Sequence, residues 1–266
     1  MRTSTTTVPV AIFDLDRTLI PGSSLVPLAR QLVRCGLLPR RRLAGALARN
    51  AQFARRGAGT AAAERLLADA LSTVAGAPAS VMQEAVLAAA DDVVRAIRPG
   101  VHQLVRRHAA AGDLCVLLSA SPHELVQAVA RRADLDVGIG TRVEVRDRCL
   151  TGRLDGPFCH GDGKLARLRD EIAVDLGRAT AYTDAASDLP LLQACAYPVA
   201  VHPTGRSKPP PGPRAGPSSA RSATRGRPRG RRSRASRRAR RRRRRAAPPV
   251  RGANDTGWRR PRPRRR

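Results

Sequence analysis

The sequence predicts an α/β fold in which a mostly parallel sheet carries a large helical insertion. Three observations lead there. A short apolar run, residues 8–13, ends abruptly on "DLD". Some 75 residues of helical periodicity follow it directly. From there the chain alternates short apolar runs with amphipathic stretches, as right-handed crossovers between parallel strands require.

Residues 8–13 read as a buried strand, with Pro9 tolerable only near its start. From about Leu25 to Ile97 apolar residues recur at spacings of three and four. Pro39, the pair Gly57 and Gly59, and Gly76 with Pro78 divide this block into about four helices. A block this long is no single crossover. It reads as a cap, residues 21–97, seated over the carboxyl ends of the strands, where open α/β sheets bind ligands. The core is then 1–20 with 98–203: helix "VHQLVRRHAAAG", strand "LCVLLSAS", helix "PHELVQAVARRA", a hairpin over "TRVEVRDRCLTGRL", helix "KLARLRDEIAVDLG", strand "ATAYTD", helix "DLPLLQAC" and strand "YPVAV".

Charge divides the chain again. The net charge is +29, but residues from Val201 onward hold 25 Lys and Arg against one acid, Asp255. The folded part therefore has an ordinary balance, and the global charge describes a tail. Residues 204–266, rich in Arg, Pro, Gly and Ser, have too little apolar surface to offset a backbone ordering cost of about 1–2 kcal/mol per residue, which predicts disorder. Such a tail would bind nucleic acid non-specifically with steep salt dependence, although only Trp258 is there to stack on a base. A third reading is a frameshift between Pro203 and Arg206, since out-of-frame translation of a GC-rich gene yields Arg, Pro, Gly and Ala. The other two frames test it: one should encode an amphipathic helix and a closing strand. Five scattered cysteines without zinc spacing predict a reduced, cytoplasmic setting. No run predicts a signal peptide or a membrane span.

The chemistry gathers at strand ends. In a continuing strand Asp14 and Asp16 project together, and two carboxylates ~5 Å apart repel by about 3 kcal/mol at an effective dielectric near 20. Either one is protonated or a cation sits between them. Ser119, after a buried strand and before Pro122, is either a helix N-cap or part of an anion site. Lys164 follows two glycines and is the sole lysine of the first 200 residues, which sets it apart from a solvated surface lysine. Asp184 follows a strand. Asp188 is an N-cap candidate for the helix near Leu189, and these carboxylates suit a hard cation such as Mg²⁺.

"DLDRT", "SAS", "GDGK" and "DAASD", in that order, resemble the four motifs of the haloacid dehalogenase-like superfamily. The helical insertion after the first motif resembles the phosphoserine phosphatase-like subgroup, subfamily IB. The resemblance spans residues 8–203 and implies a Rossmann-like core and a Mg²⁺-dependent phosphomonoester hydrolase acting on a small phosphorylated metabolite or a lipid-derived phosphate. It implies Asp14 as nucleophile and Asp16 as general acid and base. Thr18, Ser119 and Lys164 would bind phosphate. Asp14, the backbone carbonyl of Asp16, and Asp184 would hold Mg²⁺, with Asp188 as a further ligand or orienting group. Two positions depart from the pattern. Ala185 stands where Ser or Gly, with a small polar neighbour, is usual. Ser23, nine residues after Asp14, stands where phosphoserine phosphatases carry a Glu for the substrate ammonium.

Overall fold

The computed structural model describes residues 8–45, 48 and 60–201. The basic tail and the frameshift region lie outside the described residues, as does much of the second predicted helix, of which residues 40–45 are helical.

Five parallel strands form the sheet. They are β1 (Val10–Phe13), β2 (Leu114–Pro122), β3 (Val137–Thr141), β6 (Ala179–Thr183) and β7 (Tyr197–Ala200), in the spatial order β3-β2-β1-β6-β7. β1 is central because it is apolar on both sides: Ala11 and Phe13 face one core, Val10 and Ile12 the other. Chain order reverses at β1, since β2 and β3 lie to one side and β6 and β7 to the other. The crevice beyond the carboxyl ends of β1 and β6 is therefore a topological switch point.

Helices α1 (Leu25–Arg34), α2 (Thr60–Val74) and α3 (Ala79–Arg95) lie in the insertion. The other helices are α4 (Pro99–Ala110), α5 (His123–Arg132), α6 (Asp162–Glu171) and α7 (Leu189–Ala194). α3 buries Ala85, Val86, Ala89, Ala90 and Val93 along one stripe, against α1 on one side and α5 on the other. The insertion thus shares the Phe13 face of the sheet core. Its entry and exit are tied together, for Arg98 N donates to Leu19 O at 2.9 Å.

The hairpin of β4 (Val143–Arg146) and β5 (Cys149–Leu154) turns through Asp147 and Arg148, both at positive φ, 50° and 63°. It has a use the sequence did not show. Gly76 N donates to Leu150 O, Leu150 N to Ala77 O and Ala79 N to Arg148 O, so β5 holds the turn between α2 and α3. α6 is shorter than its periodicity predicts. It stops at Glu171 because Ile172 turns extended and packs, with Val174, on the Val10 face of the sheet. Among the described residues no helix is long and apolar enough to cross a membrane.

Candidate active site

Every strand bearing a predicted motif ends at the crevice. β1 stops at Phe13, but Asp14 N still donates to Tyr182 O at 2.9 Å, which extends the ladder by one bond and buries the carboxylate at 7% exposure. The expected strand alternation from Asp14 to Asp16 ends there. The chain turns instead: Arg17 N donates to Gly22 O, and Leu19 N and Ile20 N both donate to Leu15 O. The two acids accordingly meet different partners, and neither shares a strand face with the other.

Lys164 joins two of the acids. Its Nζ donates to Asp14 Oδ1 at 2.7 Å and to Asp188 Oδ2 at 2.6 Å, with all three side chains at least nine-tenths buried. Glycine brings it there, since a Cβ on Gly163 would stand 1.8 Å from Phe158 O. Only a glycine lets the first turn of α6 press so close to that backbone. Burial alone would lower the ammonium's pKa, but Asp14 and Asp188 outweigh burial and hold it well above the usual lysine range. Burial pushes Asp14 up to about 7, with Lys164 pulling it down and Asp188 pushing it up. The two shifts have different causes: the two acids raise Lys164 against its burial, whereas burial raises Asp14 against the pull of Lys164.

Asp188 corrects an expectation. It stands at the N-cap position of α7, yet its side chain caps nothing. Its Oδ2 accepts from Lys164 and, at 2.6 Å, from Thr183 Oγ1. Thr183 Oγ1 in turn accepts from Ala185 N at 3.1 Å, so the polar support not available from Ala185 comes from β6 instead. Replacing the buried Thr183 by valine is expected to cost about 1–3 kcal/mol, read by urea denaturation, because Asp188 and Ala185 N each lose a partner. Serine should restore most of that loss.

Asp16 is held at the start of α1. Ser23 Oγ donates to its Oδ2 at 2.8 Å and Ser24 N to its Oδ1 at 2.9 Å. Ser24 Oγ lies 2.6 Å from Ser121 Oγ, and Ser121 N donates to Ser119 Oγ at 3.2 Å. Ser119 is therefore neither a helix cap nor past the strand: it is buried within β2, where the pairing with β3 shifts register. Thr18 Oγ1 accepts from Asp184 N at 3.1 Å and lies 3.5 Å from Asp184 Oδ1, while Arg17 Nε donates to Asp184 Oδ2 at 2.9 Å. Burial raises the pKa of Asp184, and Arg17 opposes it. His123 takes no part, since its Nδ1 accepts from Gly140 N and burial lowers its pKa.

The structure thus gathers Asp14, Lys164 and Asp188 into one cluster and Thr18 with Asp184 into a second. Asp16 and Ser119 are linked through Ser24 and Ser121. Arg17, Ser24, Ser121 and Thr183 are polar members that motif reading missed. Thr183 alone had a local signal, as the last polar residue of an apolar strand.

The haloacid dehalogenase-like hydrolase family model matches residues 11–193. The chain belongs to this family. The phosphoserine phosphatase SerB1 of Mycobacterium tuberculosis is 32% identical over 203 residues, covering 74% of this chain and 65% of that protein. The chain therefore spans just under two thirds of the length of that relative. A protein of unknown function from Bordetella pertussis Tohama I has a solved structure 30% identical in sequence, with a TM-score of 0.62, covering 75% of this chain and 92% of that one. A substrate-bound phosphoserine phosphatase structure shares the fold at a TM-score of 0.53 and 18% identity, over 73% of this chain and 86% of the other.

Proposed function

We propose that the chain is a Mg²⁺-dependent phosphomonoester hydrolase working through an aspartyl-phosphate. The buried bridge from Lys164 to Asp14 and Asp188 carries this reading. An acid, a shared ammonium and hydroxyl donors stand together at the switch point of an α/β sheet, inside a family of hydrolases.

Asp14 attacks phosphorus, so that its carboxylate gains a bond to phosphorus as the bond to the leaving oxygen breaks. Asp16 gives that oxygen a proton, then takes one from the water that hydrolyses the intermediate. Lys164, Thr18 and Ser119 offset or donate to the phosphoryl oxygens. The donor chemistry fits Mg²⁺. Asp14 and Asp188 share the single ammonium of Lys164, and Asp188 Oδ1 is buried with no hydrogen-bond partner. No three His, Cys, Asp or Glu of the described residues form a metal cluster by themselves. The proposed set needs only two carboxylates, Asp14 and Asp184, with the backbone carbonyl of Asp16, and Asp188 behind them. When bound there, Mg²⁺ would offset charge on the phosphoryl oxygens and on the acids.

For the substrate, a small phosphorylated metabolite or lipid-derived phosphate, Ser23 matters most. It adds no negative charge where an ammonium would sit, and its hydroxyl is engaged by Asp16. That argues against phosphoserine as the preferred substrate, even though SerB1 carries that name. The full chain should hydrolyse p-nitrophenyl phosphate with Mg²⁺ and not after chelation, and Asp14→Asn should abolish turnover. Activity that survives either change would sink the mechanism. A second reading rests on the basic tail: if hydrolysis is absent and the full chain holds DNA at low salt only, nucleic-acid binding becomes the better account.

A further inference from the structure

Ser24 stands at the N-cap position of α1, yet its side chain caps nothing. A serine there ordinarily accepts a bond from the first turn of its own helix, so this hydroxyl has been put to another use. Its Oγ lies 2.6 Å from Ser121 Oγ, one hydroxyl donating to the other, and both residues are buried. The bond joins residues 97 apart in the chain.

Ser121 is the fixed side of the pair. Thr141 Oγ1 donates to Ala120 O at 2.8 Å, Ser121 N donates to Ser119 Oγ at 3.2 Å, and a Cβ on Gly140 would stand 2.6 Å from Ser121 O. So close an approach to β3 leaves the end of β2 little room to shift. Ser24 is the side that gains from being fixed. Ser24 N donates to Asp16 Oδ1 and Ser23 Oγ to Asp16 Oδ2, so both donors hang on the segment that opens α1. A general acid has to stand within hydrogen-bond reach of the oxygen it protonates, and a misplacement of about 1 Å costs on the order of 100-fold.

We propose that Ser24 and Ser121 are positioning residues for the proton donor. Their hydroxyl pair clips the start of α1 to the end of β2, and Ser23 and Ser24 in turn aim the Asp16 carboxyl at the leaving oxygen. The inference rests on the hydrolase reading above, with Asp16 as acid. In that step Asp14 bonds to phosphorus while the bond from phosphorus to the leaving oxygen breaks. The leaving oxygen keeps that electron pair and takes the proton of Asp16. Phenolate, the conjugate base of an acid with a pKa of about 10, needs that proton far more than the weakly basic p-nitrophenolate does.

The test compares kcat/KM of the full chain for phenyl phosphate and p-nitrophenyl phosphate, two substrates of nearly one shape. This parameter ends with departure of the leaving group, so the later attack by water does not enter it. Ser24→Ala and Ser121→Ala should each lower it about tenfold or more on phenyl phosphate and about threefold or less on p-nitrophenyl phosphate. The double variant should lose no more than the worse single one, since both changes remove the same bond. A partly unfolded sample lowers both rates alike, so the ratio between substrates reads position rather than fold. Either serine gives the readout where the other variant does not fold.

Equal losses on the two substrates, or no loss, would overturn the proposal and leave the pair a structural link. A double variant that loses the product of the single losses would overturn it too, because two independent sites would then be at work. If the wild type turns over the two substrates within about tenfold of each other and the serine variants keep that ratio, this inference alone fails. If the wild type favours p-nitrophenyl phosphate by more than about tenfold, or hydrolyses neither, no acid is at work, and the reading of Asp16 fails together with this inference.

Discussion

Replacing Lys164 by methionine is expected to abolish phosphomonoester hydrolysis and to destabilise the metal-free chain by about 3–5 kcal/mol. The ammonium is 4% exposed and bonds two acids that are themselves buried. Without it, Asp14 and Asp188 face each other across a dry site with no cation between them, and at least one must take up a proton. An attacking carboxylate that is protonated is a poor nucleophile, and the phosphoryl oxygens lose their fixed charge at the same step. Arginine should not rescue the loss, because its planar fork cannot replace a point charge on two acids. The double variant Lys164→Met with Asp188→Asn separates the two effects. Removing the second acid should recover part of the stability and none of the turnover. Urea denaturation at pH 8 and hydrolysis of p-nitrophenyl phosphate read both, and turnover within tenfold of wild type in Lys164→Met would remove that residue from the machinery.

Lys164 was also the most legible feature of the site. A single lysine among arginines, two glycines before it and a helix after it are local facts. So are the apolar runs of β1 and β2, whose alternation assigns Phe13 and Ile12 to opposite cores. Asp188 shows where local reading stops. An Asp before Leu-Pro is a sound N-cap signal, but the carboxylate is claimed by Lys164, 24 residues earlier, because a charge-assisted bond in a buried site outweighs a cap. The partners of Asp16 were hidden for a related reason. Ser23 and Ser24 reach it only because the chain turns between Leu15 and Gly22, and a strand pattern carried past Phe13 puts them out of range. Arg17 gave no signal at all, since its bond to Asp184 joins a left-handed backbone position to an acid 167 residues away.

Asp14 provides the second large effect, as a pH dependence of stability in the metal-free chain. Its carboxyl is pushed from an ordinary 3.8 to about 7, by burial first, with Lys164 opposing and Asp188 adding to the rise. Between those two values the folded chain keeps a proton that the unfolded chain has released. Stability from this group is therefore full below about 4 and is lost as pH rises to about 7, by an amount on the order of 4 kcal/mol. Asp14→Asn keeps the shape and removes the ionisation. In the absence of metal, its unfolding free energy relative to wild type should accordingly grow by a few kcal/mol between pH 4 and pH 8, measured by urea denaturation. Saturating Mg²⁺ should cancel most of that gain, since an ion bound by the folded chain alone favours the ionised acid and stabilises the wild type. If the asparagine variant instead falls behind wild type as pH rises, Lys164 already compensates Asp14 in full. In that case the cluster gives Asp14 no need of a second cation, and only Asp184 and the orphaned oxygen of Asp188 would call for the metal.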